Sequence, residues 1–150
     1  MTYTYNDGGR AESGRKGQTG DCVARAVAIA SGRPYSEVYE RLAKGNATQR
    51  KSPGYKTHRG NRGKNTASHG IATTRKWFKD YMTQLGFVWT PTMTIGSGCT
   101  IHVRADELPS GNLVLMLSGH CAAMINGVLN DTYDCSREGT RCVYGYWRLA

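Results

Sequence analysis

Residues 111–134 read GNLVLMLSGHCAAMINGVLNDTYD, a stretch punctuated near its middle by Asn126-Gly127. Asn-Gly is the pair favoured in the two-residue type I′ turn that closes a β-hairpin. The apolar run LVLML (113–117) predicts a buried strand, and HCAAMI (120–125) with VLNDTY (128–133) predicts the two arms of the hairpin. With a two-residue turn, residue 125 opposes 128, so His120 opposes Tyr133 and Ala122 opposes Asp131. These four residues then share one face of the sheet. Asp131 lies diagonal to His120, about 7–8 Å away between backbones, a gap that side chains of this length bridge. Asn130 falls on the other face, and in the same register so does Asp134.

Working outward, RCVYGYWRL (141–149) predicts a last strand, FVWTPTM (87–93) another, and GSGCTIHVRADELPSG (96–111) one short strand and a turn. Upstream the period changes to helical. Val23, Ala26, Val27 and Ala30 follow i, i+3, i+4, i+7 spacing, which predicts a helix from Cys22 to Ser31 with Asp21 as N-cap and Gly32 as its stop. A second helix is expected over PYSEVYERLAKG (34–45), and a third from about Thr73 to Leu85, with Trp77, Phe78, Tyr81 and Met82 as core. Helices first and an antiparallel sheet afterwards, without βαβ alternation, define an α+β class. Residues 1–16 are expected to form a weakly ordered arm in which Tyr3 and Tyr5 pair at a sheet edge. Residues 17–150 make a single domain.

The 150 residues allow one compact core, and 19 glycines imply many turns. No apolar run approaches the roughly 20 residues that span a bilayer, and the first residues lack the apolar core of a signal peptide. A cytoplasmic location, where thiols stay reduced, is therefore expected. Five cysteines without paired spacing argue against a disulfide framework. The net charge of +9 belongs to one segment: Arg41 to Lys79 holds eleven Lys and Arg and no Asp or Glu. Its centre is a basic, Gly-rich loop at about 45–70.

A cysteine nucleophile needs a base, and usually a third group that orients the base. His58 and His69 lie in or beside the basic loop, and His102 in a modest strand. His120 opens the hairpin on rigid backbone, with Asp131 as its diagonal partner. The alanines at 122 and 123 leave room for the small-residue helix to approach, which would bring Cys22 to His120. There the helix dipole and the imidazolium would both lower the thiol pKa. The backbone N–H of Cys22, and the side chain of Gln18, are candidate oxyanion donors. The bland alternatives stand beside these: Cys22 as a packing residue, His120 as a strand-end hydrogen bonder, Asp131 as a turn residue, Gln18 as a loop residue.

GDCVARAVAIASGRPYSEVYERL (20–42) and the hairpin stretch together resemble the papain-like cysteine peptidases, more narrowly small phage-encoded proteins of that class. They are similar, more distantly, to bacteriocin-processing peptidase domains. The likeness covers about 18–42 and 73–149. It implies a papain-like fold with N-terminal helices on a C-terminal antiparallel sheet, and a Cys22–His120–Asp131 triad. It also implies a cysteine hydrolase cleaving peptide or isopeptide bonds, as a viral protein acting on a host protein in the host cytoplasm. Gln18 stands closer to Cys22 than the oxyanion glutamine of that family, and the Trp that often follows a papain-type cysteine is absent.

Two other classes fit the same residues. One is acyl transfer of transglutaminase type by the same triad. The other is a non-catalytic domain that binds nucleic acid or an acidic host protein through Lys51, Lys56, Arg59, Arg62 and Lys64, with Tyr55 and His58 stacking on bases. Neither a metal nor a cofactor is expected: the adjacent His120 and Cys121 cannot both aim at one ion from a strand, and no C-x-x-C is present. If the basic segment holds a polyanion, binding of a single-stranded oligonucleotide should fall steeply with salt. That binding should vanish when Arg59, Arg62 and Lys64 are neutralised together. Affinity that survives the triple change would remove the segment from consideration.

Overall fold

The structure is a computed structural model, and it describes residues 2–14, 21–48, 67, 71–94 and 96–150. In chain order the elements are β1 (Thr2–Tyr5), α1 (Cys22–Ser31), α2 (Tyr35–Thr48), α3 (Lys76–Gln84), β2 (Phe87–Pro91), β3 (Asn112–Leu117), β4 (His120–Ile125), β5 (Val128–Asp131) and β6 (Gly145–Leu149). The class is α+β, with a six-stranded sheet in the order β1-β5-β4-β3-β6-β2. No helix among the described residues is long and apolar enough to cross a membrane.

α1 begins and ends where its apolar spacing predicts, and Gly32, at φ 73°, takes the left-handed position and donates to Ala28 O at 3.0 Å. α2 runs three residues past Gly45, so residues 46–48, expected in the basic loop, are helical. α3 is shorter than its apolar pattern, because Thr73 and Thr74 form a turn before it. β4 and β5 pair Ala123 with Asn130, Met124 with Leu129 and Ile125 with Val128, the register that the Asn-Gly turn dictates. Both turn residues have positive φ, 47° at Asn126 and 81° at Gly127, as a type I′ turn requires.

Three expectations about the sheet need correction. It is mixed rather than wholly antiparallel: β1, from before the helices, lies parallel to β5 and aligns Tyr3 with Leu129 and Tyr5 with Asp131. The outer edge of β5 has backbone groups to satisfy, and residues 2–5 satisfy them. The 96–111 segment holds no strand among its described residues, only an isolated bridge from His102 to Cys142. The last strand starts at Gly145 rather than 141, because 141–143 is engaged with 101–103 through Val103 N to Arg141 O and Val143 N to Ile101 O.

The alternation along each strand divides the core in two. On one face Val114, Cys121, Ala123 and Trp147 pack beneath the helices, against Ala26, Val27, Leu42, Phe78 and Met82. On the other, Leu113, Leu115, Leu117, Ala122, Met124 and Leu129 are covered by Val103, Leu108, Cys135 and Val143 from the loops. Of the two alanines expected to admit the helix, only Ala123 lines its face.

Helix–helix packing depends on one missing side chain. A Cβ at Gly45 would stand 2.3 Å from the Trp77 ring. Helix propensity alone would have Gly45→Ala stabilise by about 1 kcal/mol, whereas the overlap should cost about 1–3 kcal/mol. The steric effect should win, and urea unfolding of Gly45→Ala should show a lower midpoint and altered Trp fluorescence. A raised midpoint would mean that Trp77 is not held against α2.

Candidate active site

Three element ends meet at one place: the start of α1, the start of β4 and the end of β5. The hairpin register brings His120 Nε2 to 2.7 Å from Asp131 Oδ2. The carboxylate is buried, and its Oδ1 accepts the Thr132 N–H at 2.7 Å while Arg25 Nη2 stands 3.8 Å away. β1 fixes the backbone of the same residue, since Asn6 N and Tyr3 Oη both donate to Asp131 O, at 2.9 and 3.2 Å. Burial would raise the Asp131 pKa, but the His120 hydrogen bond and charge, with the Thr132 N–H, hold it below the usual carboxylate range.

Cys22 is the first residue of α1 and is half-buried. Its sulfur lies near the side chains of Cys121 and His120. The Cys121 side chain first, and then the adjacent His120, hold the Cys22 pKa well below the ordinary thiol value against the opposing effect of burial. For His120, burial would lower the pKa. The hydrogen bond to Asp131 and the contacts with Cys135 and Cys22 outweigh burial and raise it to about 12. Both shifts favour the thiolate–imidazolium form over the neutral pair.

The other two nearby thiols are pushed the opposite way. Cys121 is buried, and its interaction with Cys22 together with burial raises its pKa well above the ordinary value. Its S–H donates to Met116 Sδ at 3.3 Å. Cys135, on the far face of the sheet from α1, touches both His120 and Asp131, but burial raises its pKa. Of the three free cysteines among the described residues, Cys22 alone has its pKa lowered by its surroundings.

Asp21 does something other than cap α1. It makes no side-chain cap bond, and its backbone is not extended as a capping residue's is. Its buried carboxylate pairs with Arg25 one turn later, lies 3.0 Å from Arg10 Nε and accepts the Tyr35 hydroxyl at 2.5 Å. Two guanidinium groups thus balance the buried carboxylate of the residue that precedes Cys22. An Arg four residues after an Asp, on a helix otherwise made of small apolar residues, is a sequence signal that could have pointed there in place of the N-cap reading. Cys121 and Cys135 carried no such signal beyond lying near His120 in the chain.

Gln18, the expected oxyanion donor, lies outside the described residues, as do Lys51, Lys56, Arg59, Arg62 and Lys64. His102 stands apart from the site, in the bridge with Cys142. The expectation that all five cysteines remain thiols is corrected at two of them: Cys99 and Cys142 form a disulfide, because the 101–103 and 141–143 pairing brings their Cα atoms to 5.8 Å. Compared with protein-family models, with curated proteins and with solved structures, the chain matches none.

The pKa directions set a pH dependence. Thiolate is lost only as pH falls through the lowered Cys22 pKa, so alkylation by iodoacetamide should stay fast to a lower pH than at an ordinary thiol. His120→Ala should raise that pKa more than Cys121→Ala, since a full positive charge is removed in one and a weak S–H donor in the other. Mass-mapped alkylation rates between pH 5 and 9 read all three. A Cys22 that reacts like glutathione throughout would mean that no ion pair forms.

Proposed function

We propose that the chain is a papain-like cysteine hydrolase that cleaves peptide or isopeptide bonds, with Cys22 as nucleophile, His120 as acid–base and Asp131 as the orienting acid. One observation carries this reading: an imidazole held 2.7 Å from a buried carboxylate lies near enough to the thiol of a helix's first residue to lower its pKa. A nucleophile beside a base that a third group orients is the minimum equipment for acyl transfer through a thioester.

In that chemistry the Cys22 thiolate attacks the carbonyl carbon, and the C=O π pair moves to oxygen. The oxyanion is met by the backbone N–H of Cys22, in the helical turn whose N–H groups have no i−4 carbonyl. As the oxygen pair returns, the C–N bond breaks, and the imidazolium of His120 protonates the departing amine. Water then attacks the thioester while His120 takes its proton, the C–S bond breaks, and acid and thiolate are restored. Asp131 keeps the ring in place through both steps. The basic run from Arg41 to Lys79 favours an acidic protein as the substrate, because Coulomb steering concentrates polyanions at such a surface.

A small activated ester tests the reading without knowledge of that substrate. On p-nitrophenyl acetate the chain should release nitrophenolate with transient acetylation at Cys22, followed by turnover. Cys22→Ala should abolish it, and His120→Ala should slow it by about 10²–10⁴-fold, the usual worth of general acid–base catalysis. Asp131→Asn should also be slower, with alkylation of Cys22 less impaired than hydrolysis. Transfer of the acetyl group to an added primary amine in preference to water would instead favour a transferase. Acetylation no faster than at the other thiols would overturn both.

A further inference from the structure

Away from the Cys22–His120–Asp131 site, the described residues hold one other cluster of metal-binding side chains: Cys99, His102 and Cys142, their donor atoms all within 4.8 Å of one another. The third partner of His120 and Asp131 in a comparable group, Cys135, belongs to the site already described, where His120 Nε2 is taken by Asp131. At the second cluster the backbone does the positioning. His102 and Cys142 oppose each other in an antiparallel bridge, flanked by Val103 N to Arg141 O at 2.9 Å and Val143 N to Ile101 O at 2.8 Å. Directly opposed residues present their side chains on the same face. Cys99 arrives from the preceding loop, whose next residue is tied down by Thr100 Oγ1 donating to Thr92 O at 2.9 Å.

The imidazole is oriented as a ligand. His102 Nδ1–H donates to Glu107 Oε1 at 3.1 Å, and the other Glu107 oxygen lies 3.3 Å from Arg104 Nε. A carboxylate on one ring nitrogen fixes the tautomer and leaves a lone pair on the other, which is the usual second shell of a metal-bound histidine. Two sulfurs and an imidazole nitrogen suit a borderline-soft divalent cation in a tetrahedral site, with solvent as the fourth ligand.

We propose that, once the Cys99–Cys142 disulfide is reduced, Cys99, His102 and Cys142 bind a zinc-type divalent cation, with Glu107 as the carboxylate that orients His102. A dithiol reductant supplies two electrons and two protons. The S–S bond breaks, two thiols form, and the dithiol becomes a disulfide. The cation then displaces both thiol protons as two metal–sulfur bonds form, each about 2.3 Å long. Two sulfurs on one tetrahedral ion stand about 3.8 Å apart, a spacing that side-chain rotation supplies from backbones 5.8 Å apart. Cys99 is exposed, so a reductant reaches the bond directly. The same three residues thus clasp the 92–104 loop to 141–144 in either redox state, by a covalent bond when oxidised and by a metal when reduced.

Cobalt titration of the full chain distinguishes the outcomes. After reduction and anaerobic removal of the reductant, Co²⁺ should bind as a single equivalent with a sulfur-to-cobalt charge-transfer band and tetrahedral visible bands, all displaced by Zn²⁺. The unreduced chain should show neither. Cys99→Ser and Cys142→Ser should lose the charge-transfer intensity, and Glu107→Gln should weaken binding about 10–100-fold. The bands should persist in Cys22→Ala and His120→Ala, which separates this site from the other thiols. No thiolate band in the reduced wild-type chain would overturn the proposal. So would a band that survives Cys99→Ser, or one that disappears in Cys22→Ala.

Discussion

The Asp131 carboxylate is the point on which the remaining architecture turns. One oxygen accepts from His120 and the other from Thr132, with the Arg25 guanidinium nearby. Its backbone carbonyl receives β1. Four parts of the chain, β1, α1, β4 and β5, therefore converge on one buried residue. Removing one member of a buried, hydrogen-bonded charge pair typically costs about 3–5 kcal/mol, because the surviving charge stays in the low-dielectric interior without compensation. Here the survivors would be an imidazolium and a guanidinium, so the geometry of the site and the closure of the sheet edge rest on the same interaction.

Around that fixed ring, burial and hydrogen bonding sort three chemically equal thiols. Cys121 and Cys135 lie on opposite faces of the sheet, each buried, each held protonated. Cys22 differs in two ways. It is half-exposed at a helix start, and its neighbours Cys121 and His120 shift its titration toward the thiolate. The Asp21 carboxylate one residue away is paired with Arg25 and Arg10. Pairs of titratable groups driven apart by their surroundings are the physical mark of assigned acid–base roles. The sorting is a property of packing, not of the cysteines themselves.

Local signals were legible in the sequence; distant ones were not. Asn126-Gly127 determined the hairpin register, and the register alone placed Asp131 diagonal to His120, because a two-residue turn leaves no freedom to slip. The bounds of α1 followed from its apolar spacing and from Gly32. By contrast, nothing in Thr2–Tyr5 marks its partner, since a parallel pairing with β5 closes across more than a hundred residues and leaves no periodic trace. Asp21 looked like a cap because capping is the local option for an Asp at that position. Its actual partners include Tyr35 and Arg10, which only tertiary packing brings near. The 96–111 segment looked partly strand-like because Thr100, Ile101 and Val103 are β-formers, yet a single bridge suffices to bury Val103.

The loop between β5 and β6 connects the two cysteine-bearing regions physically. Arg141, next to Cys142, donates Nη2 to Ser118 O at 2.7 Å and Nη1 to Cys135 O at 3.4 Å. Ser118 belongs to the turn that delivers His120 into β4, and the Cys135 side chain touches His120 itself. A covalent or metal clasp at residue 142 therefore restrains the arginine that braces both flanks of the imidazole. Segment 132–144 has no strand or helix of its own, so its order has to come from such cross-links. Tyr133, half-exposed, carries its ring to 5.4 Å from that of His120 within the same segment. The wall of the site opposite α1 is thus built from loop rather than sheet, and its firmness is inherited from the bonds that Arg141 and Cys142 make.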